Sequence, residues 1–245
     1  MALPKIDTPT YELTLPSQDI KVKYRPFLVK EEKILLMALE TQKEDEIYEA
    51  TKQIVSTCTF NSINVESLPT FDLEYIFLNI RAKSVGEIAK FKILCPDDKK
   101  TYVDVEIDLT KVNVEVDDQH TNKIIVDEKR QLGVVLNYPT MEVLKSGTNV
   151  ENANMDQIFN MLAICVDHIF EGDKIYPGKD STAAEIKEFF ENLSQESFLK
   201  IKTFFDTMPK LRHEIEIENP QTKVKSKVIL QGLSDFFESA SPIIA

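Results

Sequence analysis

The chain has 245 residues, a formal net charge of −12 and a pI near 4.8. That acidic balance argues against nucleic acid or an anionic membrane surface as the main partner, because both are bound by clustered Lys and Arg. With 42% hydrophobic and 29% charged residues it reads as a folding polypeptide, long enough to bury a core as one large domain or two small ones.

No apolar run approaches the ~20 residues of a membrane span, and Met1-Ala2-Leu3-Pro4 lacks the charged and apolar regions of a signal peptide. Three distant cysteines, Cys58, Cys95 and Cys165, predict a reducing compartment and no disulfide framework. The six glycines do not stand at phosphate-loop spacing, so nucleotide chemistry is not expected.

Residues 10–29 predict strand, turn, strand. Tyr11, Leu13 and Leu15 alternate with polar residues, Pro16-Ser17-Gln18-Asp19 carries turn chemistry, and Ile20, Val22 and Tyr24 resume the period of two. Arg25-Pro26 ends the strand, since proline cannot donate to a ladder. A helix follows over about 29–40, with Glu31 and Glu32 in its first turn, where peptide dipoles favour carboxylates. Its apolar run from Ile34 to Leu39 predicts burial on most sides. A second helix, about 44–58, carries the stripe Ile47, Ala50, Ile54 and Cys58. A third starts after Pro69, with Thr70 as its cap and Leu73, Ile76, Phe77 and Ile80 on one face.

Gly86 marks a change of period, and 91–145 reads as β structure: a hairpin around "CPDDKK", then short strands at 112–116, 123–127 and 132–138. Residues 146–154 read as a linker. Asn154 with Gln157 resembles a capping box opening a helix whose stripe is Ile158, Met161, Leu162, Cys165 and Ile169, with His168 at its edge. "EGDKIYPGKD" reads as a long loop. Thr182 with Glu185 is a second capping box, ahead of Ile186, Phe189, Phe190 and Leu193. A further helix bears Phe198, Ile201, Phe205 and Met208 and stops at Pro209; a hairpin and a short helical segment close the chain.

Two segments resemble one another. "ILCPDDKKTYVDVEIDL" and "IENPQTKVKSKVILQGL" each read as strand, X-Pro, polar turn and alternating strand, with Cys95-Pro96 and Asn219-Pro220 in equivalent places. Such tips are where zinc ribbons carry Cys-x-x-Cys knuckles. Here position 98 is Asp and the later tip has no Cys, so Cys95 and His213 cannot complete four ligands and no metal is expected. Asp117, Asp118 and His120 could do acid–base or metal chemistry; the plainer reading is an exposed turn. Cys58 and Cys165 stand at apolar helix positions without a flanking cation, as small hydrophobes do. No nucleophile-elbow, zincin, Cys-x-x-Cys or P-loop motif occurs. Adjacent phenylalanines on a helix lie ~100° apart, so one ring of each pair Phe189-Phe190, Phe204-Phe205 and Phe236-Phe237 is accessible unless another element or chain covers it.

Taken in order, "MALPKIDTPTYELTLPS", "KVKYRPFLVKEEKILLMALE", "LEYIFLNIRAKSVGE" and "VILQGLSDFF" resemble the baseplate hub subunit and hub-assembly proteins of T4-like contractile-tailed phages, over nearly the whole chain. The resemblance implies a late phage protein that builds the central hub of the tail baseplate through protein contacts and without catalysis, in the host cytoplasm during assembly and in the virion tail baseplate. It also implies that some members carry Cys-x-x-Cys at both hairpin tips, of which this chain keeps only Cys95.

The expected fold is α+β: an N-terminal hairpin plus three helices (1–90), a β-rich middle (91–146), a helical segment (147–210) and a C-terminal hairpin with a short helix (211–245), free to return and pair with the middle strands. No cofactor is expected, and the partners are other tail and baseplate hub proteins. The expected partner interface is Arg25, Phe27, Lys30, Leu233, Phe236 and Phe237. Arg25 either faces a partner or pairs locally with Glu31 or Glu32. An assembly chaperone that leaves before the virion matures is the alternative role; an enzyme centred on Asp117, Asp118 and His120 is the rival from another class.

Overall fold

The structure, a computed structural model, describes residues 7–145 and 155–238. In chain order its elements are β1 (Tyr11–Thr14), β2 (Lys21–Tyr24), α1 (Val29–Thr41), α2 (Glu44–Cys58), α3 (Thr70–Val85), β3 (Ile88–Leu94), β4 (Tyr102–Asp108), β5 (Asn113–Glu115), β6 (Lys123–Asp127), β7 (Leu132–Leu136), α4 (Met141–Lys145), α5 (Met155–Cys165), β8 (Val166–Glu171), β9 (Lys174–Pro177), α6 (Ala183–Glu191), α7 (Gln195–Thr207), β10 (Lys210–Glu218), β11 (Lys225–Gln231) and α8 (Gly232–Glu238). The fold is α+β, with hairpins near both ends of the described chain. It divides into two compact units. One runs up to Glu115 and resumes at Lys210; the other is Val116–Pro209. The strands of 91–146 are thus shared out, β3–β5 to the first unit and β6–β7 to the second. The linker and the Asn154 cap lie outside the described residues.

In the first unit the β1–β2 hairpin pairs Tyr11 with Tyr24 and Leu13 with Val22, sending Leu13, Val22 and Tyr24 inward. Its turn is tied to α3: the Ser17 N–H donates to Asp72 Oδ1 at 3.2 Å and the Ser17 hydroxyl donates to Asp72 Oδ2. Asp72 is fully buried, and that burial raises its pKa while the two bonds from Ser17 pull the other way. On α2, Ala50, Ile54 and Cys58 are buried along one stripe, as the spacing predicts.

The order of burial among the helices differs from expectation. The apolar run of α1 is only half covered: Leu35 and Ala38 are buried, while Met37 is 58% exposed. It is α3 that is buried almost all round, Phe71, Leu73, Ile76, Phe77, Leu78, Ile80 and Ala82 included. The reason is position. Helix α1 packs on α2, whereas α3 lies between α2 on one side and β5, β10 and α8 on another. Each fully buried α3 side chain contributes about 1.5–3 kcal/mol before the entropy of ordering it. The α3 cap position is held by Pro69, and Thr70 is the first helical residue.

Strands β3 and β4 form an antiparallel hairpin whose Ala89, Phe91 and Ile93 face the core while Lys90 and Lys92 face out. The C-terminal hairpin returns to the middle strands: β10 pairs with β11 and with β5, in the order β11-β10-β5. The β3–β4 and β10–β11 hairpins, α3 and α8 enclose one core with Phe91, Ile107, Leu211, Ile217, Leu230 and Phe236.

The second unit is an antiparallel meander, β6-β7-β8-β9, packed with α5, α6 and α7. Two expectations are corrected here. The α5 helix ends at Cys165 and the chain passes directly into β8, so His168 and Ile169 are strand residues. Pairing decides this, since Val134 and Val135 of β7 stand opposite Ile169 and His168. "EGDKIYPGKD" is a hairpin and not a long loop: Glu171 pairs with Lys174 across Gly172-Asp173, with Gly172 at φ 56° as a two-residue turn requires. The Thr182–Glu185 capping box forms in both directions, the Glu185 N–H donating to Thr182 Oγ1 at 3.2 Å and the Thr182 N–H to Glu185 Oε2 at 2.7 Å. Both Phe204 and Phe205 are buried, edge to face at 4.9 Å, because α7 faces a core wide enough to cover two adjacent rings.

Candidate interaction surface and the paired hairpin tips

The corner after β2 is held by polar bonds inside the protein. The Arg25 N–H donates to the Cys58 carbonyl at 3.0 Å, and its guanidinium donates to Glu31 Oε1 at 2.9 Å and to the Pro26 carbonyl at 2.9 Å. The other Glu31 oxygen accepts from the Leu28 N–H at 2.8 Å and closes the start of α1. Arg25 and Glu31 are both buried. Burial pushes the Glu31 pKa up, but the bonds from Arg25 and the Leu28 N–H, with the Arg25 charge, outweigh it and hold the carboxyl below its ordinary value. Arg25 therefore takes its local partner, Glu31. Phe27 is buried as well, its N–H donating to Ser84 Oγ at 2.9 Å. Lys30, its side chain 69% exposed, stands with Nζ 3.4 Å from Glu31 Oε1.

At the other end of the chain, Leu233 and Phe236 are buried within the first unit, Phe236 edge-on to Phe91 at 5.9 Å. The Leu233 N–H donates to Glu74 Oε1 at 3.2 Å. Glu74 is buried on α3, and burial, with a smaller push from Asp235, raises its carboxyl to about 7 against the bond from Leu233. The side chain of Phe237 lies outside the described residues. Of the six expected interface residues, the structure thus brings Arg25 and Phe27 together as the corner, and Leu233 and Phe236 together in the core beneath α8. The Phe27–Ser84 bond sets the exposed apolar residues Leu28 and Val29 near the C-terminal end of α3, where Val85 is exposed, with Ile88 exposed just after it.

The two X-Pro turns share one backbone bond and one left-handed residue. The Lys99 N–H donates to the Cys95 carbonyl at 3.0 Å and the Lys223 N–H to the Asn219 carbonyl at 2.9 Å. Both lysines take left-handed φ, 52° and 63°. The tips meet: Asn219 Nδ2 lies 3.1 Å from both Asp97 oxygens, and Thr222 Oγ1 donates to Asp97 Oδ2 at 2.6 Å. Zinc does not fit these residues. Cys95 is buried and its thiol is raised by burial and by the Asp97 and Asp98 charges, so it stays protonated. Asp98 is occupied by the Thr101 hydroxyl at 2.6 Å and the Thr101 N–H at 3.0 Å. Positions 219 and 222 carry Asn and Thr, which turn N–H and O–H hydrogens toward Asp97 and supply no thiolate or imidazole ligand. Among the described residues no three His, Cys, Asp or Glu side chains converge as a metal-ligand set.

The candidate catalytic triplet does not assemble either. Asp117 Oδ1 accepts from the Gln119 N–H at 2.8 Å. The His120 ring lies against Tyr138 at 5.5 Å and Phe204 at 5.1 Å, with Nδ1 2.9 Å from Thr207 Oγ1. That hydroxyl donates to the Thr203 carbonyl at 2.8 Å, so Nδ1 carries the proton and Nε2 is bare, buried and without a partner among the described residues. Burial lowers the His120 pKa against a weaker opposing pull from Asp117. The remaining thiols are inert: burial drives Cys58 to about 11 and Cys165 to about 12.

A family model described as T4 bacteriophage base plate protein matches residues 8–238. The chain belongs to that family. Nothing among curated proteins or solved structures matches it. The family match takes in both compact units of this baseplate protein. Among the described residues no helix is long and apolar enough to cross a membrane.

Sequence reasoning passed over the polar groups that organise this baseplate protein. Asp72 and Glu74 are both buried anchors, one for the N-terminal hairpin and one for α8. Asp97 read as a turn residue. The available signal was acidic residues inside the otherwise apolar "FDLEYIF", which pattern alone does not assign to a partner.

Proposed function

We propose that this protein is a structural or assembly component of the baseplate hub and acts through protein–protein contacts without a reactive centre. The observation that carries the reading is the family match across 8–238, which spans both units. The likeness of "YRPFLVKEEK" to hub proteins supports the narrower placement in the hub. The side chains of Asp117 and His120 are bonded to other groups, the Gln119 N–H and Thr207 Oγ1, which supports a reading without catalysis. In this reading Arg25, Phe27, Leu233 and Phe236 shape the contact faces from within, and Lys30, with Val29 beside it at 79% exposure, meets the partner.

Co-purification with tail proteins followed by cross-link mapping tests this. Cross-links from Lys30 to another baseplate protein are expected. Recovery of the chain with no tail protein, or turnover by the isolated chain, overturns the proposal. Mass spectrometry of purified virions separates a retained subunit from an assembly chaperone that departs.

A further inference from the structure

We infer that the two hairpin tips of the first unit form a metal-free clasp, in which the Asp97 carboxylate occupies the role that a tetrahedral cation plays between paired knuckles. The two turns are built alike. Each opens X-Pro; in each, the N–H of the fifth residue returns to the carbonyl of the first and that fifth residue is left-handed. Each also sends the N–H of its first residue across the hairpin, Cys95 to the Thr101 carbonyl at 2.8 Å and Asn219 to the Val224 carbonyl at 2.9 Å. Positions 95 and 219 are therefore equivalent, as are 98 and 222, and the spacing within each pair is that of a Cys-x-x-Cys knuckle.

The polarity of the centre is inverted. In a metal site lone pairs converge on a cation; here hydrogens converge on an anion. Asn219, almost fully buried, turns its amide nitrogen to both Asp97 oxygens, while its own oxygen accepts from the Gln221 N–H at 2.9 Å and the Thr222 N–H at 3.3 Å. The Thr222 hydroxyl completes the set on Asp97 Oδ2. Donors to a carboxylate make stronger bonds than neutral pairs, and a network with every member satisfied specifies one arrangement. The clasp joins β3–β4 to β10–β11, whose tips lie 122 residues apart in sequence between Asp97 and Asn219. Closure of the unit then needs neither metal nor thiolate.

Three measurements on the full chain test this. Metal analysis of the purified protein is expected to find only substoichiometric zinc, and EDTA is expected to leave the melting curve unmoved. Asp97→Ala is expected to lower the melting temperature by about 2–4 °C. The combined variant Asp98→Cys, Asn219→Cys, Thr222→Cys, keeping Cys95, is expected to bind one cobalt(II) with the visible spectrum of tetrahedral thiolate ligation, and its melting is expected to become chelator-sensitive. Stoichiometric metal in the natural chain, or a melting temperature lowered by EDTA, overturns the inference. So does an Asp97→Ala protein that melts like the parent, or a three-cysteine variant that takes up no cobalt. If Asp97→Ala does not fold, the metal analysis and the cobalt spectrum decide.

Discussion

Replacing Glu74 with Gln should stabilise the protein at neutral and alkaline pH and leave it nearly unchanged in mild acid. Glu74 is a buried carboxyl on α3 that accepts the Leu233 N–H, and its pKa stands at about 7 against an ordinary 4.5. At ~1.36 kcal/mol per pKa unit, that difference corresponds to roughly 3 kcal/mol. The folded chain holds this proton more tightly than the unfolded one, so the contribution is fully present below pH 4.5 and is lost as pH rises toward about 7. A Gln side chain keeps an oxygen for Leu233 and never ionises, so the window disappears. The assay is urea unfolding followed by far-UV circular dichroism at pH 5 and pH 8, since the chain has no Trp. Titrations elsewhere cancel in the difference between parent and variant. That difference should grow by a few kcal/mol from pH 5 to pH 8. A difference that is the same at both values would refute the idea that an ionised Glu74 is held against its burial.

Arg25→Ala should cost about 3 kcal/mol, because it leaves the buried Glu31 carboxylate with only the exposed Lys30 ammonium and the Leu28 N–H; denaturant midpoints measure it, and replacing both partners with apolar residues should cost less than the single change. Gly133→Ala should destabilise by about 1–3 kcal/mol, since a Cβ there would stand 2.3 Å from Phe170 Cζ and 2.6 Å from the Ile124 carbonyl oxygen; thermal melting tests it. His120 should make the protein acid-sensitive: its lowered pKa means stability is complete above about 6.5 and lost as pH falls below that value. His120→Phe, which keeps the ring stack, should flatten that limb of the stability–pH curve.

The local code carried much of this fold. Alternation in "YELTL" and "KVKY" defined the first hairpin, the stripe Ile47–Cys58 defined α2, and Thr182 with Glu185 marked the start of α6, all interactions that close within a few residues. The repeated X-Pro turns were also legible, because turn chemistry is a property of the turn itself. Where both periods fitted, as from Cys165 to Ile169, only the facing strand β7 could decide for a strand. Which apolar helix lies at the centre was likewise set from outside: α1 and α3 are both apolar in sequence, but only α3 has neighbours on both sides. The buried polar anchors Asp72, Glu74 and Asp97 belong to this second class. Each meets a partner far away in the chain, Ser17, Leu233 and Asn219 respectively, and a charge written in one segment does not say which distant donor the fold will bring to it.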